Sequence, residues 1–213
     1  MSFAQWSVGT RGGVSLTSID RSQAGRIDET YNPLLGYDFG IIGSYAFNPW
    51  FAVRADLDMM QRNHRMQRHL NYLSPVYTDH LNTYLTLPLM ADFSFGGSRL
   101  RGHLLIGVFV GYWMSQRVRG ITYGMTDYEV FFNEFDAVKD FSTSDRRLDA
   151  GLVGGTALSY ILNSSLSVSL NVLYYYDYVS HHVGYAALQD YRYLNTAAIT
   201  LGLSYRLTLT QQP

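Results

Sequence analysis

Histidine is the residue with the widest chemical use in this sequence, because imidazole can ligate a metal, activate a serine hydroxyl or donate a hydrogen bond. The chain has six histidines and no cysteine, which excludes Cys-based zinc sites and cysteine nucleophiles. No His-x-Ser pattern occurs, and the spacings of His64, His69 and His80 and of His181-His182 match no established metal site. We therefore predict a protein that is not an enzyme, with no catalytic, cofactor-binding or metal-binding residues.

Charged side chains recur at every second position of segments whose other positions are apolar. In the segment 51–59, for example, Phe51 and Val53 alternate with Arg54, Asp56 and Asp58. The polar faces of such segments carry Arg11, Asp38, Arg54, Asp56, Asp58, Asp92, Arg101, His103, Asp149, Asp177 and Arg206. Because the two signs are interleaved, we predict that these residues pair in a polar core. A proton or ion path along them is the alternative.

A period of two is the signature of β-strands, and eight segments show it. They lie at residues 5–17, 36–47, 51–59, 81–95, 100–117, 147–162, 166–178 and 192–209. Connections are long after the first, third, fifth and seventh segments and short after the second, fourth and sixth. Short periplasmic turns and long extracellular loops are typical of transmembrane barrels. The sequence therefore predicts an all-β fold, an eight-stranded antiparallel up-and-down transmembrane β-barrel.

The direction of the apolar face separates this fold from a soluble barrel of the lipocalin type, whose interior is apolar. Here the polar face carries the glycines and opposed charges that suit a narrow interior. The apolar face carries aromatic residues near both strand ends, as expected for belts at the two lipid–water interfaces. Low charge (15%) and high aromatic content (15%) agree with a surface that faces lipid. An eight-stranded barrel is filled by its own side chains, so we predict no open channel.

Helical spans are not expected. The longest apolar run, residues 104–114, has 11 residues, whereas a helix needs about 20 to cross a bilayer.

Two predicted loops carry residues that suit binding. A basic loop contains Arg62, Arg65 and Arg68, whose guanidinium groups could bind lipopolysaccharide phosphates, or could simply be solvated. A second loop, at about 120–145, combines acidic and aromatic residues. Its rings are Tyr128, Phe131, Phe132, Phe135 and Phe141. Because exposed rings are costly in water, we expect them either to dock a partner protein or to fold over the barrel mouth.

Four stretches of the sequence resemble the PorT-like outer-membrane β-barrel proteins of the Bacteroidota. They are GTRGGVSL (9–16), GYDFGIIGSYAFNPWFAVRADLDM (36–59), TYLTLPLMADFSF (83–95) and LDAGLVGGTALSY (148–160). The resemblance covers essentially the whole chain and implies a barrel in the bacterial outer membrane. The name-giving member of that group is associated with type IX secretion. These motifs define a barrel subfamily rather than an activity.

The N-terminal residues indicate export, and the strand pattern sets the bounds of the barrel. Ser2-Phe3-Ala4 resembles the end of a secretory cleavage site, so we expect residues 1–4 to be a signal-peptide remnant, 5–209 the barrel and 210–213 a tail.

The net charge of −1 excludes a strongly basic nucleic-acid binder. We predict a structural or accessory subunit of an envelope assembly serving secretion, uptake or barrel assembly. Its expected partners are outer-membrane lipid, lipopolysaccharide and other outer-membrane or periplasmic proteins. The alternative is a standalone barrel that binds envelope lipid or a small ligand through its extracellular loops.

Overall fold

The computed structural model describes residues 5–21, 29–70, 73–125, 130–141, 145–178 and 192–207. Its regular structure consists entirely of antiparallel strands, as predicted. The strands are β1 (Gln5–Arg21), β2 (Glu29–Asn48), β3 (Phe51–Gln61), β4 (Asn63–Leu70), β5 (Leu73–Gly96), β6 (Leu100–Met125), β7 (Val130–Lys139), β8 (Leu148–Ile161), β9 (Leu166–Asp177) and β10 (Arg192–Leu207).

The ten strands form a closed ring with eight strand positions. β3 and β4 follow one another in a single position, since both pair with β2 and with β5. β7 and β8 both pair with the same edge of β6. Pairing of β1 with β10 closes the ring. The predicted eight-stranded barrel is therefore confirmed, with two of its strand positions interrupted.

The short connections gather at one end of the barrel, which we call the short-turn end. They comprise residues 49–50, 97–99 and 162–165. Both ends of the described chain lie there too, since Trp6 pairs with Leu207 and Gln5 with Ala46. The opposite end, called here the long-strand end, is formed by the extended parts of β2, β4, β5, β6 and β7.

The outer surface of the barrel is apolar. Ile41, Ile106 and Leu201 each expose more than half of their accessible area. Aromatic rings cluster near the short-turn end, where the ring centroids of Trp6 and Tyr45 lie 4.8 Å apart. Such a continuous apolar band flanked by rings fits the hydrocarbon layer and its interface. No described helix has the length and apolarity needed to span a membrane.

Two of the predicted loops are wrong in their described parts, because the strands at the long-strand end run further than the apolar pattern does. The basic segment after residue 59 continues as the end of β3 and then β4. In the region 120–145, β6 runs on to Met125 and pairs with β7 as a hairpin. Polar side chains occur on both faces of these extensions, so the apolar alternation that reveals the other strands is absent. The backbone ladder forms without it.

Candidate functional site

The inward faces of the strands bring seven of the eleven predicted polar-core residues into contact. They are Arg11, Asp38, Arg54, Asp56, Asp58, Asp149 and Asp177, all of them buried. They divide between two networks. The central network contains Arg11, Arg54, Asp38, Asp56 and Asp58, and the upper network joins Asp149 and Asp177 to Arg62.

Arg11 is the hub of the central network. Its Nε donates to Asp58 Oδ1 at 2.9 Å, and its Nη2 donates to Asp58 Oδ2 at 2.5 Å. Nη2 also lies 3.3 Å from Asp38, Nη1 lies 3.2 Å from Asp56, and the Tyr175 hydroxyl accepts a bond of 2.9 Å. One guanidinium thus bridges three carboxylates from β2 and β3. Charge-assisted bonds of this kind are the strongest available to a buried network.

Glycine at position 40 provides the space for this arrangement. Gly40 pairs with Arg11 on one side and with Asp58 on the other. A Cβ at this position would overlap the Asp58 carboxylate. The side chains of Arg11 and Asp58 therefore meet over a position of β2 that has no side chain.

Arg54 extends the central network towards the short-turn end. Its Nη2 donates to Asp56 Oδ2 at 2.8 Å, and its Nη1 donates to Asn171 Oδ1 at 2.9 Å. Asp56 therefore contacts both Arg54 and Arg11. The network reaches across the lumen from β3 to β9.

Arg62 forms the upper network. Its Nη1 donates to Asp149 at 2.7 Å and to Asp177 at 3.1 Å, and the three side chains are fully shielded from solvent. The rings of Tyr84 and Phe109 lie 4.9 and 5.1 Å from the guanidinium carbon. Two carboxylates and the π-faces of two rings thus surround one buried cation.

The prediction that Arg62 contacts lipopolysaccharide from a loop is therefore wrong. Arg62 occupies the single-residue break between β3 and β4, where its N–H donates to Asn82 O and its C=O accepts from Asn82 Nδ2. The sequence does contain a signal for this placement. Residue 62 continues the even-numbered inward series of Arg54, Asp56 and Asp58, but its position beyond the apolar pattern concealed it.

An apolar layer fills the lumen beside these networks. Its buried members are Met60, Met90, Leu105, Phe109, Val153, Ala157, Leu173, Tyr175 and Ala198. The polar-core prediction did not include this layer, so the interior is mixed rather than purely polar. Together with Arg11 and Arg62 it closes the lumen between the two ends.

The remaining four predicted core residues line a vestibule, a cavity of about 520 Å³ at the short-turn end. They are Asp92, Arg101, His103 and Arg206. His103 has a hydrogen-bonding partner on each ring nitrogen, with Asp92 Oδ1 2.8 Å from Nδ1 and Ser159 Oγ 2.8 Å from Nε2. The sequence pattern did not reveal the contact with Ser159, which lies 56 residues further along the chain.

At the long-strand end, β7 and the part of β6 from Gln116 onward form what we call the projecting hairpin. Phe131 and Phe132 point to opposite faces of β7, and 43% and 48% of their areas are exposed. Arg117 donates to both carboxylate oxygens of Asp136 at 2.6 and 2.7 Å. This hydrogen bonding lowers the pKa of Asp136.

The aromatic residues that the sequence predicts to dock a partner or cover the barrel mouth lie in different places. Phe131, Phe132 and the half-buried Phe135 lie on β7. Phe141 instead packs at the barrel mouth, edge-on to Trp113 at 5.0 Å and beneath the Arg147 guanidinium at 4.3 Å. Tyr128 lies outside the described residues. The set thus contains both an exposed part and a self-packed part.

The other two arginines of the basic segment lie on β4 and have acidic partners. Arg65 donates to both Asp79 oxygens, at 2.6 and 3.0 Å, and its guanidinium lies over the Tyr77 ring. These hydrogen bonds from Arg65 to Asp79 raise the pKa of Arg65. Arg68 lies 3.4 Å from Glu29.

Among the histidines weighed for metal binding, His64 and His80 are opposite one another on β4 and β5, with stacked rings 4.7 Å apart. The side chain of His69 and the pair His181-His182 lie outside what the structure describes. Within the described part of the chain, no three His, Asp or Glu side chains converge as metal ligands.

Comparison with known proteins decides the family. A family model described as "Outer membrane protein beta-barrel domain" matches residues 3–176. The chain belongs to this family. Membership of the outer membrane protein beta-barrel domain family places the barrel in the bacterial outer membrane, with its short-turn end periplasmic and its long-strand end extracellular. The narrower resemblance to the PorT-like group stays a prediction.

Several solved structures are similar to this chain at low sequence identity. OprG from Pseudomonas aeruginosa is 16% identical with a TM-score of 0.55, over 95% of this chain and 96% of that one. Neisserial surface protein A is 15% identical with a TM-score of 0.49, covering 94% and 96%. Ail from Yersinia pestis is 12% identical with a TM-score of 0.45, covering 94% and 98%. The search of curated proteins gave no match. At 16% identity, the similarity to OprG establishes the fold and not an activity.

Proposed function

We propose that this outer-membrane barrel is a structural or accessory subunit of a larger envelope assembly and docks its partner protein through the projecting hairpin. The observation that carries the proposal is the exposure of Phe131 and Phe132 on opposite faces of β7. Neither face of the hairpin is therefore covered by the barrel. Such a role requires no catalytic step.

Further exposed apolar side chains support a protein partner. Tyr123 on β6 lies opposite Phe132, and Val138 near the end of β7 exposes 72% of its area. Aromatic residues are enriched in protein interfaces, where burying them between two chains removes their contact with water. Among the described strands, only β6 pairs with β7, so the other edge of β7 offers backbone groups to a partner strand.

The closed lumen favours a role at the surface over transport through the barrel. Arg11 and Arg62 are buried with their carboxylate partners, and the apolar layer fills the space beside them. A sealed barrel of this size can act by presenting its ends to other molecules. Because the sequence motifs resemble the PorT-like group, we include secretion as the envelope process that this subunit serves.

The test is affinity purification of the tagged full-length protein from native membranes in a mild detergent. We expect a partner in fixed stoichiometry with the wild type and its loss in the Phe131→Ser/Phe132→Ser variant. The matched control is Thr122→Ala/Asn133→Ala, which changes two exposed polar residues that face each other on the same hairpin. Folding of each variant is checked by the heat-dependent shift of the barrel band on a gel.

A standalone barrel that binds envelope lipid is the second candidate, because Arg65 and Arg68 lie on the extracellular part of β4 with partly exposed side chains. Both have acidic partners, which leaves them less able to bind phosphate than free guanidinium groups would be. Absence of any stoichiometric partner, together with lipopolysaccharide retained by the wild type and lost in Arg65→Ala/Arg68→Ala, would favour this candidate and contradict the docking proposal.

A further inference from the structure

Three side chains from adjacent strands meet in the periplasmic vestibule. Asp92 on β5, His103 on β6 and Ser159 on β8 form a continuous chain of two hydrogen bonds, each 2.8 Å long. The strand register produces this contact. Asp92 pairs with Leu105, two residues from His103, and Ser159 is two residues from Ala157, the partner of His103. Both contacts therefore join diagonal neighbours on one face of the sheet.

The chemistry of the three groups determines which atom donates and which atom accepts in each of the two hydrogen bonds. An ionised carboxylate can only accept a hydrogen bond, so Asp92 selects the imidazole tautomer with its proton on Nδ1. The lone pair of Nε2 then faces the hydroxyl of Ser159 at 2.8 Å, which donates to it in this tautomer and has Arg101 O as a second, longer acceptor at 3.5 Å. Acid, imidazole and hydroxyl in this order are the arrangement that activates a serine as a nucleophile.

The chain of groups is open to a ligand. Asp92, His103 and Ser159 all line the vestibule of about 520 Å³, a volume within the usual range for small-molecule sites. Arg101 lies directly opposite Ser159 in the β6–β8 ladder, and Arg206 lines the same cavity. Among the described residues, no carboxylate pairs with either of these arginines. Within the described residues, the vestibule thus holds two guanidinium groups without a carboxylate partner, and Arg101 Nε donates to Gly97 O at 3.4 Å.

We propose that the vestibule is a serine-esterase site for small anionic carboxylic esters, with Ser159 as nucleophile and His103 as general base. Asp92 is a positioning residue that orients the imidazole. Arg101 stabilises the negative oxygen that develops on the substrate, and Arg206 attracts its anionic group.

The reaction needs no reagent besides water. Ser159 Oγ bonds to the carbonyl carbon of the ester while its proton passes to His103 Nε2. The bond from that carbon to the alcohol oxygen breaks, and the leaving oxygen takes the proton from His103. Water then attacks the acyl–Ser159 ester, gives a proton to His103 and releases the carboxylic acid, and His103 returns the proton to Ser159. The sum is ester plus water to alcohol plus acid.

A fluorophosphonate probe tests the nucleophile directly in the full-length protein folded in detergent. We expect one adduct by intact mass, located on Ser159 by peptide mapping. In His103→Gln the rate should fall about 100-fold or more, because the general base is gone. The matched control is Ser167→Ala, which removes another vestibule serine and should label like the wild type.

Only protein with the gel mobility of the folded barrel is scored, so an unfolded variant cannot imitate a loss of labelling.

Hydrolysis of mono-4-nitrophenyl succinate and 4-nitrophenyl acetate tests the substrate class. The succinate should be preferred, and Arg206→Met should reduce that preference. Ser159 left unlabelled in the folded wild type, or labelled at an equal rate in His103→Gln, would overturn the proposal and leave a structural hydrogen-bond chain. Partner docking at the opposite end is unaffected by either result.

Discussion

Arg62 Nη1 lies 2.7 Å from Asp149 Oδ2, which joins the break between β3 and β4 to β8 across the lumen. All atoms of both side chains are shielded from solvent. Asp177 on β9 accepts from the same nitrogen. This contact between distant strand positions ties opposite sides of the ring together at the extracellular end of the lumen.

Removing the Arg62 guanidinium should therefore destabilise the barrel strongly. Arg62→Ala leaves two buried carboxylates without their cation, and breaking a buried pair in this way costs about 3–5 kcal/mol. We expect a lower unfolding midpoint in urea with lipid vesicles and loss of the heat-resistant folded band. Arg117→Ala is the control, because its ion pair with Asp136 is exposed and screened by solvent. Equal midpoints for Arg62→Ala and the wild type would show that the upper network is not stabilising.

The central network predicts non-additive effects of two substitutions. Arg11→Met leaves three carboxylates close together without their shared cation, with an expected cost of about 3–5 kcal/mol. Asp58→Asn added to Arg11→Met removes one of those charges, so the double variant should be more stable than the sum of the single effects. Denaturant unfolding of the wild type, both single variants and the double variant measures this coupling. Strict additivity would contradict a direct Arg11–Asp58 interaction.

The projecting hairpin predicts a measurable titration. Hydrogen bonds from Arg117 lower the pKa of Asp136, so its carboxyl should titrate below the ordinary aspartate range. A lowered folded-state pKa means that this contribution to hairpin stability is present above the unfolded value, about 3.9, and is lost as pH falls through the folded value. Carbon-13 NMR of the Asp136 carboxyl follows the titration. In Arg117→Ala the pKa should rise towards the ordinary value, and an unchanged titration would show that the hydrogen bonds are absent in solution.

The lipid-facing half of the fold could be predicted from sequence because lipid imposes a strict rule on it. Every second residue of 100–114 must be apolar where it meets hydrocarbon, and the resulting period of two marks the strand. No such rule acts beyond the membrane. There β4 and β7 mix polar and apolar side chains on both faces, so neither strand shows a period of two.

The sequence predicts which side chains face the lumen, but it does not predict which of them contact one another. Alternation places Arg11 and Asp58 on inward faces, whereas their contact depends on how β1, β2 and β3 are registered. The same holds for His103 and Ser159, which meet because β6 and β8 pair with His103 opposite Ala157. Spacing along the chain carries no information about such a register.

We infer that paired side chains close the lumen and that the barrel works through its two ends. Current recordings of the full-length protein in planar lipid bilayers test it most directly, with folding confirmed in the same preparation by the heat-dependent gel shift. We predict no stepwise ion conductance from the wild type, because Arg11, Arg62 and the apolar layer obstruct the lumen. Stable conductance steps from folded wild-type protein would show that the lumen is open.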